Sequence, residues 1–385
     1  MSQQPNHLVE RMREFETSIF AEMTGLAMST GSINLGQGFP DYDGPQAVLD
    51  AAAEAIRGGH NQYPPSVGIL PLREAIAAHE KKYYDLDYDP SSEIVVTTGA
   101  TEGLAAALLA LTETGDEVIV FEPYFDVYAA GIGLSGARRV AVTLHRDGTD
   151  PSGWSLDPAE LEAAVTPRTK LILLNSPHNP TGKVFTREEL QAVADVAIRH
   201  DLIVLSDEVY EHLVFDGLTH TPIATHPGMH ARTIKLSSAG KTFSVTGWKV
   251  GWACAPKPLA SAVLGVKQHL SFASGHPFQV ALAKGLAGDL DETRRQLQAQ
   301  RDVLCDGLAV LGYDVIRPQA TYFTVVDVKS DALEFARALP ARAGVVTIPM
   351  LSFYDSSVGD TFVRFAFCKR PDVLQQAVDR LRDAK

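Results

Sequence analysis

From Glu93 to Cys254 the chain repeats one pattern, a short run of apolar, largely β-branched residues followed by a stretch with helical periodicity. The runs are Glu93–Thr97, Glu117–Phe121, Arg139–Leu144, Lys170–Leu174, Leu202–Leu205, Thr233–Leu236 and Val250–Cys254. Strands alternating with helices predict a mostly parallel sheet. The runs are apolar throughout rather than at every second residue, as strands are when helices cover both faces of the sheet. Thr101–Glu113 and Arg187–His200 carry amphipathic spacing, and Thr186 with Glu189 makes a capping-box signature before the second. The expected fold is α/β. A large domain over residues 46–285 holds a seven-stranded, mostly parallel sheet between helices, and a smaller α+β domain covers 286–385. The N-terminal segment, 1–45, joins the small domain. There, a long polar helix is expected around Asp291–Leu311. Thr321–Asp327 and Phe362–Phe367 alternate apolar and polar residues, which predicts a sheet with one face open to solvent.

Composition narrows the function. At 385 residues and 45% hydrophobic, the chain can bury a substantial core, so disorder is excluded. Its 34 Lys+Arg against 47 Asp+Glu give a formal charge of -13, which opposes nucleic acid as a partner. The longest apolar run, 104–111, falls short of the ~20 residues that span a bilayer. The polar N-terminus lacks the pattern of a signal peptide. Cys254, Cys305 and Cys368 form no C-x-x-C pair, which points away from a disulfide framework, a zinc knuckle or any other metal site and toward a cytoplasmic protein.

Two motifs suggest other enzymes. Gly131-Ile132-Gly133-Leu134-Ser135-Gly136 matches G-x-G-x-x-G, but the dinucleotide fingerprint needs a strand before the glycines and a helix after them. Here the order is reversed, so a flexible helix-to-strand loop is expected, and an NAD-dependent oxidoreductase is a remote alternative. Gly240-Lys241-Thr242 resembles the end of a Walker A loop, yet Lys235 stands where the loop's opening glycine belongs.

Chemistry gathers instead at the ends of successive strands, where open α/β sheets bind ligands. After Leu174 comes Asn175-Ser176-Pro177-His178-Asn179-Pro180-Thr181-Gly182; after Leu205 come Asp207 and Tyr210; after Leu236 come Ser237, Ser238 and Lys241. Each residue alone is also what a cap, a turn or a solvated surface uses. Together they are what a pyridine-aldehyde cofactor requires. The lysine amine condenses with the aldehyde, the aspartate pairs with the ring nitrogen, and the tyrosine and asparagine bind the phenolic oxygen. Gly99-Ala100-Thr101-Glu102-Gly103 follows a strand and opens a helix, so its free N–H groups can hold a phosphate, with Ser238 and Lys249 adding a hydroxyl and a charge.

These motifs resemble the class I/II aminotransferases of fold type I, the pyridoxal-phosphate enzymes related to aspartate aminotransferase. The resemblance runs from Asn34-Leu35-Gly36-Gln37-Gly38-Phe39-Pro40-Asp41 through Asn61-Gln62-Tyr63, Asn179-Pro180-Thr181-Gly182, Ser206-Asp207-Glu208-Val209-Tyr210 and Ser237-Ser238-Ala239-Gly240-Lys241 to Val363-Arg364-Phe365. Gly36–Asp41 and Thr246–Gly251 look like the branch holding kynurenine, glutamine and methionine aminotransferases and bacterial succinyldiaminopimelate aminotransferases. The resemblance implies amino-group transfer between an L-amino acid and a 2-oxo acid by a ping-pong mechanism, with cysteine-conjugate β-elimination as the alternative on the same scaffold. It implies pyridoxal 5′-phosphate bound by Lys241, Asp207, Tyr210, Asn179, Phe125, the Ala100 and Thr101 N–H groups, Ser238 and Lys249. Lys241 would also move the Cα proton. Tyr63 would reach in from a partner subunit, so a homodimer with shared sites is expected. The substrate carboxylate would be held by Arg364, Asn179 and the Gly38 backbone. Lys249 stands where the class usually carries arginine, and His276 departs from the usual small polar residue, contacting a partner or shaping the substrate pocket. Ile19–Met23 is expected to form part of an apolar lid.

Overall fold

The computed structural model describes residues 7–16 and 18–384. Eight strands form the main sheet in the order Ile94–Thr97, Gly251–Cys254, Thr233–Ser238, Ile203–Asp207, Thr169–Asn175, Glu117–Glu122, Arg138–His145, Ser155–Leu156. The five from Thr233–Ser238 to Arg138–His145 are mutually parallel. Gly251–Cys254 runs against both of its neighbours. All seven expected strands are present, and the eighth, two residues long, is too short to leave a pattern in the sequence.

Burial explains why the strands read as continuous apolar runs. Leu171 and Leu173 pack with Leu104 and Leu108 of the helix Gly99–Leu111, while Ile172 and Leu174 pack with Leu190, Val193 and Ala197 of the helix Arg187–Arg199. Successive side chains point to opposite faces, and both faces are covered. The second helix starts at the expected capping box: Thr186 Oγ1 accepts from the Glu189 N–H at 3.2 Å, and Glu189 Oε2 accepts from the Thr186 N–H at 2.9 Å.

Two expectations are corrected. Gly131 and Gly133 lie inside the helix Asp126–Ser135, and only Gly136, at φ 83°, leaves it. The run is therefore no flexible loop. Its glycines permit close packing, since a Cβ at Gly131 would stand 3.0 Å from Leu108 Cδ1 and one at Gly133 3.1 Å from Phe15 Cε2. The second correction concerns the antiparallel sheet Asp314–Ile316, Phe323–Asp327, Phe362–Ala366, Ile348–Pro349. Every residue of its two central strands is buried. Val326, Val363 and Phe365 face Leu304, Leu308, Leu374 and Val378 of the helices Asp291–Val310 and Pro371–Asp383. Val325 and Phe362 on the other face join the core of the main sheet. The face read as open to solvent is covered by the rest of the molecule, and the polar residue within it, Arg364, points into the site.

The N-terminal segment adds Ile33–Asn34 as a parallel partner to Val345–Val346. Behind the central strands lies a buried ionic cluster in which Lys235 Nζ meets Glu80 Oε1 at 2.5 Å and Glu211 Oε2 at 2.6 Å, while Glu211 also accepts from the Ser237 hydroxyl. His79, Glu211 and His212 place ligand-type atoms within 4.8 Å of one another. Glu211 is engaged there by Lys235 and Ser237, and the two imidazoles meet Nε2 to Nε2 at 2.6 Å, while His79 Nδ1 is buried without a hydrogen-bond partner among the described residues. Cys254, Cys305 and Cys368 are free and buried. Among the described residues no helix is long and apolar enough to cross a membrane.

Candidate active site

A cavity of about 310 Å³ opens beyond the C-terminal ends of the parallel strands. Gly38, Ala100, Thr101, Phe125, Asn179, Asp207, Tyr210, Ser238, Lys241, Lys249 and Arg364 all line it.

Asp207 ends its strand at the floor. Its Oδ2 accepts from Tyr128 OH at 2.7 Å and its Oδ1 from the Val209 N–H at 3.3 Å. Burial pushes the Asp207 pKa up, while these bonds and the Lys241 charge work against that shift. The neighbouring loop is braced by Asn175, whose Nδ2 donates to the Pro177 and Asp207 carbonyls and whose Oδ1 accepts from the Asn179 N–H at 2.7 Å.

Lys241 lies in the single helical turn Ala239–Thr242, capped by Ser238 Oγ. Its amine donates to Tyr322 OH at 2.6 Å. Enclosure pushes the Lys241 pKa down to about 8, with the Lys249 and Arg364 charges helping and the Asp207 carboxylate among the groups opposing.

The corner opposite belongs to the start of the helix Gly99–Leu111. Gly99 has φ 73°, and a Cβ there would stand 3.2 Å from Lys249 Nζ. Only glycine leaves space for that amine beside the free N–H groups of the first turn.

Arg364 is 1% exposed. Its Nη1 donates to Asn179 Oδ1 at 3.0 Å and its Nη2 to the Gly36 carbonyl at 3.2 Å, whereas Nε is buried without a partner among the described residues. The guanidinium lies 3.8 Å from the Phe323 ring centre, 4.9 Å from Phe353 and 5.3 Å from Phe20. Burial brings its pKa down to about 10.

Two residues lie elsewhere. Tyr63 is 85% exposed and, with His276, lines a separate groove near Pro64 and Ser274. His276 accordingly does not shape the pocket of its own chain: its Nδ1 meets the Gln62 carbonyl at 3.0 Å, tying the helix start to the loop of Tyr63, and its ring stands edge-on to His60. Of the N-terminal lid residues, Phe20 lines the cavity, but Met23 is core and Glu22 pairs with Arg337. Sequence reasoning missed Tyr128, Tyr322 and Phe323. Tyr128 lies one helical turn beyond Phe125, and Tyr322-Phe323 opens a foreseen strand; nothing local separates them from core aromatics.

The sequence model of the family described as aminotransferase class I and II matches residues 30–381, and the chain belongs to that family of amino-group-transferring enzymes. A solved N-succinyldiaminopimelate aminotransferase from Mycobacterium tuberculosis is 48% identical, with a TM-score of 0.95 over 98% of this chain and 100% of that one. A kynurenine–oxoglutarate transaminase of Dictyostelium discoideum is 39% identical over 96% of this chain and 95% of its own length, and the methionine aminotransferase of Escherichia coli 37% identical over 97% of both. Membership leaves the oxidoreductase alternative without support.

Proposed function

We propose that this aminotransferase works with pyridoxal 5′-phosphate and takes amino acids whose side chains are uncharged and largely apolar. One observation carries the reading: an amine, a buried carboxylate and a corner of helix N–H groups with Lys249 converge on one cavity whose remaining walls include the rings of Phe20, Phe125, Tyr128, Tyr210, Tyr322 and Phe323. The residues fit the cofactor. Lys241 would bond its aldehyde carbon, Asp207 would face the ring nitrogen, and Tyr210 and Asn179 the phenolic oxygen. Phe125 would cover the ring. Ala100 and Thr101 N–H groups, Ser238 and Lys249 would hold the phosphate, with Tyr63 contributed by a second copy of the chain. When bound, the cofactor supplies an electron-withdrawing ring that makes the substrate Cα–H acidic.

The chain's own groups do the rest. Arg364 offers its unused Nε with Nη to the substrate carboxylate, a bidentate hold that orients the Cα–H bond. Lys241 Nζ, with a pKa near the working pH, takes the Cα proton and returns it. Amino donor and oxo-acid acceptor use the cavity in turn, as a ping-pong cycle requires. Free, buried thiols support a reducing, cytoplasmic setting.

Among the described residues lining the cavity, the cations are Lys241, Lys249 and Arg364, and each has a role above. The side-chain pocket is left to Phe20, Val209, Tyr322 and Phe323. That favours methionine-like or aromatic donors. The 48% identity to an N-succinyldiaminopimelate aminotransferase supports a second reading, in which a further cation, supplied by a second copy, meets the distal carboxylate. A donor panel with 2-oxoglutarate decides. Methionine, phenylalanine or kynurenine should exceed N-succinyldiaminopimelate in kcat/KM by about tenfold or more, a difference of about 1.4 kcal/mol. The opposite ranking establishes the second reading, and a purified protein that shows no visible cofactor band when given pyridoxal phosphate sinks both.

A further inference from the structure

The hydroxyl of Tyr322 stands between two groups that come from distant parts of the chain. It lies 2.6 Å from the Gly38 carbonyl oxygen and 2.6 Å from Lys241 Nζ. A carbonyl only accepts, so a contact that short requires the phenol hydrogen to lie between the two oxygens. A phenol has one hydrogen. Toward Lys241 the Tyr322 oxygen is therefore an acceptor, whichever protonation state the amine adopts. One N–H of Lys241 is pinned toward Tyr322, and in the neutral amine the lone pair turns away from the phenol. Burial keeps the Tyr322 pKa far above the usual phenol range, so the hydrogen stays in place through neutral pH. Packing fixes the arrangement further: a Cβ at Gly38 would fall against the Tyr322 and Phe323 rings, so the backbone reaches the hydroxyl only as glycine.

We propose that Tyr322 is the positioning residue for the Lys241 amine, its hydroxyl, oriented by the Gly38 carbonyl, setting the direction in which Nζ presents its lone pair to the cavity. The proposal rests on the pyridoxal-phosphate reading. It assigns Tyr322 a task distinct from the groups that hold the cofactor's phosphate or the substrate's carboxylate.

The test follows cofactor capture rather than turnover. Cofactor-free wild type, Lys241→Ala and Tyr322→Phe proteins are mixed with pyridoxal phosphate across pH 6–9.5, and growth of the visible band is timed. Wild type should develop the band and Lys241→Ala should not; failure of either overturns the cofactor reading itself. Phenylalanine keeps the ring that packs on Gly38 and Phe323; of the other titratable groups facing the amine, Asp207, Lys249, Arg364 and Cys368 keep their partners, while Tyr210 loses only its hydrogen bond to the Tyr322 hydroxyl. In Tyr322→Phe the plateau rate at high pH should fall about tenfold, equivalent to about 1.4 kcal/mol, with the same final amplitude. Its midpoint should move to lower pH, because the lost acceptor favoured the protonated amine. A plateau within about twofold of wild type, with or without a lower Tm, overturns the proposal, since a merely structural tyrosine would leave the capture rate unchanged.

Discussion

Arg364 holds its guanidinium carbon 3.8 Å from the centre of the Phe323 ring, its Nη groups donate to Asn179 Oδ1 and the Gly36 carbonyl, and its Nε is buried without a hydrogen-bond partner among the described residues. A lysine cannot reproduce this, because a point charge neither stacks flat on the ring nor offers two parallel donors. Arg364→Lys should lower kcat/KM about 100-fold, or about 2.7 kcal/mol, mostly through KM. Cofactor affinity should not change. Equal KM values in the two proteins for both amino and oxo acids would refute the carboxylate assignment.

Tyr128 donates to Asp207 Oδ2 and so opposes the upward push of burial on that carboxyl. Without the donor the Asp207 pKa rises further, and ionising the carboxyl takes a higher pH. In Tyr128→Phe the acid limb of the kcat–pH profile should move up, and kcat at neutral pH should fall about tenfold. An acid limb that stays put excludes the contact as a determinant of Asp207.

With its pKa near 8, the free Lys241 amine is mostly protonated at pH 7 and mostly neutral at pH 9. Only the neutral form has a lone pair to give. Capture of pyridoxal phosphate by the cofactor-free protein should therefore fall about tenfold per pH unit below 8 and level off above it. A midpoint close to that of an ordinary lysine, above pH 10, contradicts the depressed value.

Gly38 sits where a methyl group would press on Tyr322 and Phe323. Gly38→Ala should cost about 1–3 kcal/mol of stability, as overpacking does, and should raise KM as the N-terminal segment lifts from Arg364 and Tyr322. Denaturant unfolding reads the first effect and initial rates the second; a variant matching wild type in both would show that the segment accommodates the methyl.

Lys235, 1% exposed, neutralises Glu80 and Glu211 behind the sheet. Removing it leaves two buried carboxylates facing each other. Lys235→Ala should destabilise the protein by about 3–5 kcal/mol in urea, with substrate KM little altered because none of the three lines the cavity. A loss under about 1 kcal/mol would mean that the carboxylates take up protons instead.

The strands and helices of the large sheet were legible because their signals are local. Leu171–Leu174 is apolar at every position because helices cover both faces, and Thr186 caps through a residue three positions away. The strand-end residues were legible for the same reason: Asn179, Asp207, Ser238 and Lys241 follow their strands directly, and parallel neighbours bring strand ends to one edge. Misreadings arose where the deciding partner was remote. The face of Val325 and Phe362 reads as open to solvent until the main sheet covers it, and Gly131 and Gly133 look like a loop until Leu108 and Phe15 press on the helix.

By itself, the sequence determined the α/β layering, the strand positions to within a residue or two, the family and the residue types that meet at the strand ends, all encoded in periodicity or in contiguous motifs. Only the tertiary structure decided that Tyr322 touches both Gly38 and Lys241, that Tyr128 braces Asp207, that Phe323 supports Arg364, and that His276 stands outside the cavity of its own chain. Those contacts join residues tens to hundreds of positions apart. A short hydrogen bond depends on where two packed elements come to rest, and no local spacing specifies that.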